Sequence, residues 1–288
     1  MTFFLMHAVP GGPFSYEKEL PQAIIDNLNE RYKLDWPLWK QYLHYMYNLI
    51  QLDLGPSFKY ESLTVNDIIA KGFPVSATLG GLALVIALFF GIIAGVIAAL
   101  NQYKWQDNFV MFLATLGFSV PSFILASLFI YVFSYKLNIL PAAMWGKPEQ
   151  AIMPAIALAT LPAAFVARMV RTTMLEVLTQ DYIRTAWSKG LSAGEVIFKH
   201  ALRNALLPVV TYLGPLTAGI LTGSFVIEQI FGIPGMGRQF VTSIYNRDYT
   251  TILGVTIFYS AILVLANLVV DIIYAYLDPR IKVTGKKE

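Results

Sequence analysis

Five stretches of this sequence, 72–103, 108–135, 150–167, 204–227 and 249–270, contain no Asp, Glu, Lys or Arg. Each is close to or above the roughly 18–20 apolar residues that a helix needs to cross a bilayer. Inside hydrocarbon every backbone N–H and C=O must be paired within the protein, so uncharged runs of this length fold as helices. Charged residues make up 14 % of the chain, where a soluble domain carries about a quarter. The expected fold class is therefore an all-α integral membrane protein with five visible spans. The stretch 150–167 is the weakest of them, because it holds Pro154 and Pro162.

Positive charge sets the orientation. The linkers 101–107, 168–204 and 278–288 are about twice as dense in Lys and Arg as the segments 1–73, 136–150 and 228–249. Cytoplasmic loops carry the positive excess, so the first set is expected inside and the C-terminus is expected to be cytoplasmic. The chain opens on MTFFLM and then breaks at Pro10, Gly11, Gly12 and Pro13. That reads as the end of a helix whose beginning is absent, a sixth span expected before Met1.

Three regions follow. Residues 1–73 combine this short helix end with an external polar and aromatic segment. There Leu38, Tyr42, Tyr45 and Leu49 recur at helical spacing. Residues 74–277 form the membrane domain, with a cytoplasmic loop at 168–204. Residues 278–288 form a cytoplasmic tail. Gly80, Gly81, Gly91 and Gly95 suit close helix packing inside a bundle.

Several chemistries are excluded or weak. The chain has no Cys, which removes disulfides, thiol catalysis and zinc–thiolate sites. Its three His, at 7, 44 and 200, have no metal-ligand spacing. Asp271 is read as the one ionisable residue well inside a span, with a structural role as natural as a substrate contact. GIPGMG, at 232–237, does not fit G-x-x-x-x-G-K-[ST], and neither does any other stretch. The chain is not expected to hydrolyse ATP or to act as an enzyme.

The most informative segment is DYIRTAWSKGLSAGEVIFKHALRNALLP, at 181–208. Thr179 is expected to cap a helix over about 180–189, with Tyr182, Ile183, Ala186 and Trp187 on one face. Lys189 falls in its last turn, and Gly190 suits the left-handed residue just past the end. Leu191 supplies the hydrophobic contact that accompanies such a turn. Ser192 and Glu195 have capping-box spacing and start a second helix, with Val196, Ile197, His200 and Ala201 on one side. A DNA-reading helix–turn–helix conflicts with tethering at both ends to the membrane. A plain positively charged loop explains the charge but not the paired caps. A docking element for a cytoplasmic partner explains both.

TAWSKGLSAGEVIFKHALRNALLP resembles the EAA loop of ABC importer permeases, in the version found in oligopeptide and dipeptide permeases. Arg184, Thr185 and Ala186 fall where the general motif has Glu-Ala-Ala, and Gly190 is its fixed glycine. Leu202 and Arg203 replace the usual Leu-Pro, as is normal in the peptide branch, which has HALRN, here 200–204. GSFVIEQIFGIPGMGRQF, NRDYT and DPRI also resemble these permeases, and DLGPSFKY and GFPVSATL resemble their B-type subunit.

The resemblance implies a type I importer membrane domain with six spans, the first almost entirely missing here. It implies transport of oligopeptides across a prokaryotic cell membrane. The implied partners are a homologous second permease subunit, two ATP-binding subunits and an external peptide-binding protein. Membrane lipid surrounds the spans, and no nucleic acid is involved. ATP and Mg are expected on the ATP-binding subunits, with no cofactor on this chain. Coupling is assigned to Arg184, Thr185, Ala186, Lys189, Gly190 and Leu191. Ser192, Glu195, His200, Arg203 and Asn204 shape the loop. The alternatives are an ion-coupled secondary transporter and a permease for a non-peptide solute such as nickel.

Overall fold

The structure, a computed structural model, describes residues 1–10, 12–14, 22–60 and 62–277. The expected tail at 278–288 lies outside the described residues. The regular structure among the described residues is helical, apart from one isolated bridge between Pro56 and Thr64. The helices are α1 (Thr2–Ala8), α2 (Gln22–Arg31), α3 (Leu38–Ile50), α4 (Val65–Leu100), α5 (Trp105–Ser119), α6 (Ser122–Phe129) and α7 (Pro148–Leu178). They continue with α8 (Asp181–Ser188), α9 (Leu202–Ala205), α10 (Leu207–Leu221), α11 (Phe225–Ile230), α12 (Met236–Tyr245) and α13 (Tyr249–Leu277). Wide π-helical turns occupy Ile130–Lys136, after α6, and Glu195–Ala201, before α9.

Four helical segments are long and apolar enough to cross a membrane: α4, α7, Leu207–Ile230 and Tyr249–Ile273. The fifth expected span is not straight. α5 and the Ser122–Lys136 segment meet at 102°. Pro121 has no N–H to donate and disfavours helical geometry at Val120, which sits at φ −94°, ψ 114°.

α4 and α7 form the centre of the bundle. A Cβ on Gly91 would lie 2.8 Å from Val166 Cβ, and one on Gly95 would lie 2.6 Å from the Ala167 carbonyl oxygen. These two glycines bring the helix backbones into contact, as their spacing predicts. Gly80 does the same toward the Ile220 carbonyl oxygen of α10, but Gly81 faces open space.

Two boundaries differ from expectation. α4 begins at Val65, so the division between 73 and 74 falls inside it. Thr64 and Asp67 form a reciprocal capping box that starts the helix upstream of the apolar run. α7 runs on through Arg168 and Arg171 to Leu178, so the first part of the expected 168–204 loop is helix. Arg171 can stay inside the bundle because Asp107 of α5 receives it, with Nε–Oδ1 2.5 Å and Nη2–Oδ2 2.7 Å. Asp107 and Arg171 show that Asp271 is not alone as an ionisable residue within the spans. Asp271 itself lies exposed on α13.

The end of the bundle opposite α8 is closed by buried carboxylates. Glu228, fully buried, accepts from the Ser76 hydroxyl of α4 at 2.7 Å and from the Arg238 amide of α12 at 3.0 Å. Ser76 in turn accepts from the Met236 amide at 2.8 Å. Gly223 and Gly235 leave the room for this knot, since a Cβ on either would strike the Glu228 carboxylate. Asp248, also buried, accepts from the Phe58 amide and from the amide and hydroxyl of Thr251. It thereby caps α13 and fastens the segment before α4 to that helix.

Candidate functional site

At the other end, α8 is held against the bundle by its own small apolar face. Ile183 and Ala186 are buried in one cluster with Val96 and Ala99 of α4, Val166, Val170 and Met174 of α7, and Val196, Ala201 and Val209 beyond the turn. Burying a side chain such as Ile183 contributes about 1.5–3 kcal/mol. Tyr182 and Trp187 were expected on this face, but each remains nearly half exposed. Arg184, Thr185, Ser188 and Lys189 are exposed.

The turn after α8 satisfies its last carbonyls. The Gly190 amide donates to the Trp187 carbonyl at 3.0 Å, and the Leu191 amide to the Ala186 carbonyl at 3.4 Å. This is the paired bonding of a Schellman end. It requires left-handed geometry, and Gly190 sits at φ +77°. A Cβ there would touch nothing within 4 Å, so backbone geometry rather than crowding selects glycine. Leu191 is half-buried against the cluster.

The second half of the unit starts as expected. The Ser192 amide and hydroxyl both donate to Glu195 Oε2, at 3.1 and 2.9 Å, and the Glu195 amide donates back to the Ser192 hydroxyl at 3.3 Å. The Ser192 hydroxyl, followed by its amide, holds the Glu195 carboxyl below its ordinary value. The backbone then winds as a π-helical turn through His200, which is half-buried. Asn204 Nδ2 donates to the Tyr182 hydroxyl and to the His200 carbonyl, each at 3.0 Å, and so ties the two halves together. Thr173 of α7 donates to the Ala205 carbonyl at 2.8 Å. Arg203 is exposed beside them.

The expected cap at Thr179 is a correction. Its hydroxyl donates to the Glu176 carbonyl at 2.8 Å, so it closes α7. Gln180 precedes α8 and supplies no side-chain cap. α7 reaches farther than its apolar stretch, and the residue taken for a start is therefore a stop.

Of the six assigned coupling residues, the structure gathers all on one helix and its turn. Arg184, Thr185, Lys189 and Gly190 face outward. Ala186 faces inward and can act only by seating α8, and Leu191 is shared between the two environments. The coupling assignment does not include the outward aromatics Tyr182 and Trp187, which the sequence placed on the buried face. A helix of eight residues has room to bury only two side chains in the small cluster beneath it, a limit visible in the short distance from Thr179 to Gly190. Among the described residues no three His, Asp or Glu converge as metal ligands would.

This geometry has relatives. A family described as "Binding-protein-dependent transport system inner membrane component" matches residues 91–283. The chain is 53 % identical over 286 residues to the dipeptide transport system permease protein DppB of Bacillus subtilis (strain 168), covering 99 % of this chain and 93 % of that protein. It is 47 % identical over 283 residues to the oligopeptide transport system permease protein OppB of Haemophilus influenzae, covering 98 % and 92 %. The solved structure of the MetNI methionine ABC transporter in inward-facing conformations superposes with a TM-score of 0.59 at 18 % identity, over 73 % of this chain and 96 % of that one. At that identity the likeness is one of fold, and the fold is the membrane domain of a type I ABC importer.

Proposed function

The chain belongs to the family of binding-protein-dependent transport system inner membrane components and is a permease subunit, and we propose that it passes di- and oligopeptides through an ATP-driven importer. The observation that carries this reading is α8, a short helix seated by Ile183 and Ala186 with Tyr182, Arg184, Thr185, Trp187 and Lys189 turned outward. Half-exposed Tyr and Trp beside an Arg are the residue types that anchor protein interfaces. In this reading α8 docks on an ATP-binding subunit in the cytoplasm, where ATP and Mg are held by the partner. A homologous second permease completes the passage, and an external binding protein delivers the peptide.

ATP binding closes the partner subunits and moves α8. The α4–α7 pair beneath it follows, which shifts the passage between outward- and inward-facing states. Such a shift needs a ligand that binds the two states unequally, and ATP and the loaded binding protein supply that difference. Ion coupling is not favoured, since Asp107 is paired with Arg171, Glu228 is tied to the Ser76 hydroxyl and the Arg238 amide, and Asp271 is exposed on α13.

The test is affinity purification in mild detergent followed by peptide uptake in vesicles. Stoichiometric recovery of ATPase subunits and a second permease is expected, with uptake that needs ATP. A lone homo-oligomer that transports peptide without ATP would overturn the reading.

A further inference from the structure

The surfaces that the spans leave open are of two kinds. α13 exposes Val264, Leu265, Leu268 and Ile272, the bulky apolar surface that lipid favours. α10 instead exposes Pro208, Thr211, Pro215 and Gly219, and the α8-side half of α7 exposes Arg168, Thr172 and Glu176. These two stripes adjoin, since the Phe165 and Tyr212 rings meet at 4.2 Å between centroids.

Arg168 is the exceptional member. It lies ten residues before the end of α7, about 15 Å from that end. Its guanidinium stands 4.9 Å over the Phe118 ring and donates to the Thr115 hydroxyl at 3.3 Å. Neither partner carries a charge. The carboxylate of α5, Asp107, is taken by both nitrogens that Arg171 offers it and by the Tyr103 amide. Arg168 is exposed and has no acidic partner among the described residues. Its guanidinium lies beside Thr115 and Phe118, inside the uncharged stretch 108–135, where a cation is expensive against lipid, so its face is wet.

We infer that the exposed α7–α10 face lines the substrate passage and that Arg168 receives the carboxylate of the passing peptide. The inference rests on the peptide reading above and deepens it. The α-carboxylate is the one anionic group that all free peptides share. An Arg fork pairs with a carboxylate through two parallel hydrogen bonds. Phe118 on one side restrains the fork by cation–π contact. Recognition of this kind ignores side-chain sequence, as a passage for many peptides requires.

The chain has no Cys, which makes single-cysteine variants clean probes. Arg168→Cys, Thr172→Cys, Thr211→Cys and, as control, Leu265→Cys would each be assembled with the partner subunits in vesicles. They would be treated with a water-soluble cationic or anionic methanethiosulfonate. Positions 168, 172 and 211 should react, and 265 should not. Arg168→Cys should lower uptake of a free-carboxylate peptide about tenfold. The cationic reagent should restore part of that uptake and the anionic reagent none. Absence of labelling at 168, 172 and 211, or equal restoration by both reagents, overturns the proposal. If the wild-type assembly moves no peptide, the peptide reading falls and this proposal with it. If peptide moves and Arg168→Cys moves it as fast, this proposal alone falls.

Discussion

Arg171 of α7 holds Asp107 of α5 through two parallel contacts, Nε–Oδ1 at 2.5 Å and Nη2–Oδ2 at 2.7 Å, with the carboxylate side chain 2 % exposed. Removing one partner leaves the other charge buried and unpaired, at a cost of about 3–5 kcal/mol. Arg171→Ala or Asp107→Ala should therefore cut the yield of folded protein sharply. Asp107→Leu combined with Arg171→Leu should recover much of it, because an apolar pair leaves no stranded charge. Thermal unfolding in detergent distinguishes these outcomes. A double variant no more stable than either single would refute the pairing argument.

At Gly95, even a methyl group meets the Ala167 carbonyl oxygen at 2.6 Å. Gly95→Ala should destabilise the bundle by about 1–3 kcal/mol, the usual cost of overpacking. Gly81→Ala, where a Cβ meets nothing within 4 Å, serves as the control and should leave the melting temperature unchanged. Equal melting temperatures for the two variants would argue against the α4–α7 contact.

Gly190 separates backbone geometry from crowding. Gly190→Val must hold a left-handed backbone, at about 1–2 kcal/mol, while Gly190→Asn tolerates it better. Both variants should insert in the membrane. Only the valine variant should lose recovery of ATPase subunits and peptide uptake. Full uptake by Gly190→Val would count against the assignment of coupling to this turn.

Glu195 makes the turn sensitive to acid. Its carboxyl is held below the ordinary value of 4.5 by the Ser192 hydroxyl and amide. A depressed value in the folded state means that the cap is intact at neutral pH and is lost as pH falls through that lower value. Hydrogen exchange at the Ser192 amide should quicken in that acidic window. Glu195→Gln should flatten the response, and an unchanged response in that variant would show that another group controls it.

The long apolar spans were legible because exclusion of charge is a coarse property that bilayer thickness enforces. The turn at Gly190 and the box at Ser192 and Glu195 were legible because both are local and their bonds close within a few residues. The ends of α7 were not. Charge-counting stopped at Arg168, and only the three-dimensional meeting of Arg171 with Asp107 lets the helix continue. That error displaced Thr179 from the end of one helix to the start of the next. The bend after Val120 was written in Pro121, but a proline in a span is as often accommodated as obeyed. Glu228 and its cradle of Gly223, Gly235 and Ser76 were invisible, since Ser76 comes from a helix 152 residues earlier in the chain.

The seating of α8 has a mechanical consequence. Ile183 and Ala186 share one close-packed cluster with Val96 of α4 and Val170 of α7, and close-packed interiors transmit strain rather than absorb it. In the proposed coupling, a displacement of α8 would press on the α4–α7 pair through this cluster. At the far end the same α4 is pinned through Ser76 to Glu228 and α12. In that coupling, a thrust delivered at one mouth of the protein would arrive at the other as a change of tilt, with the buried carboxylate as its pivot.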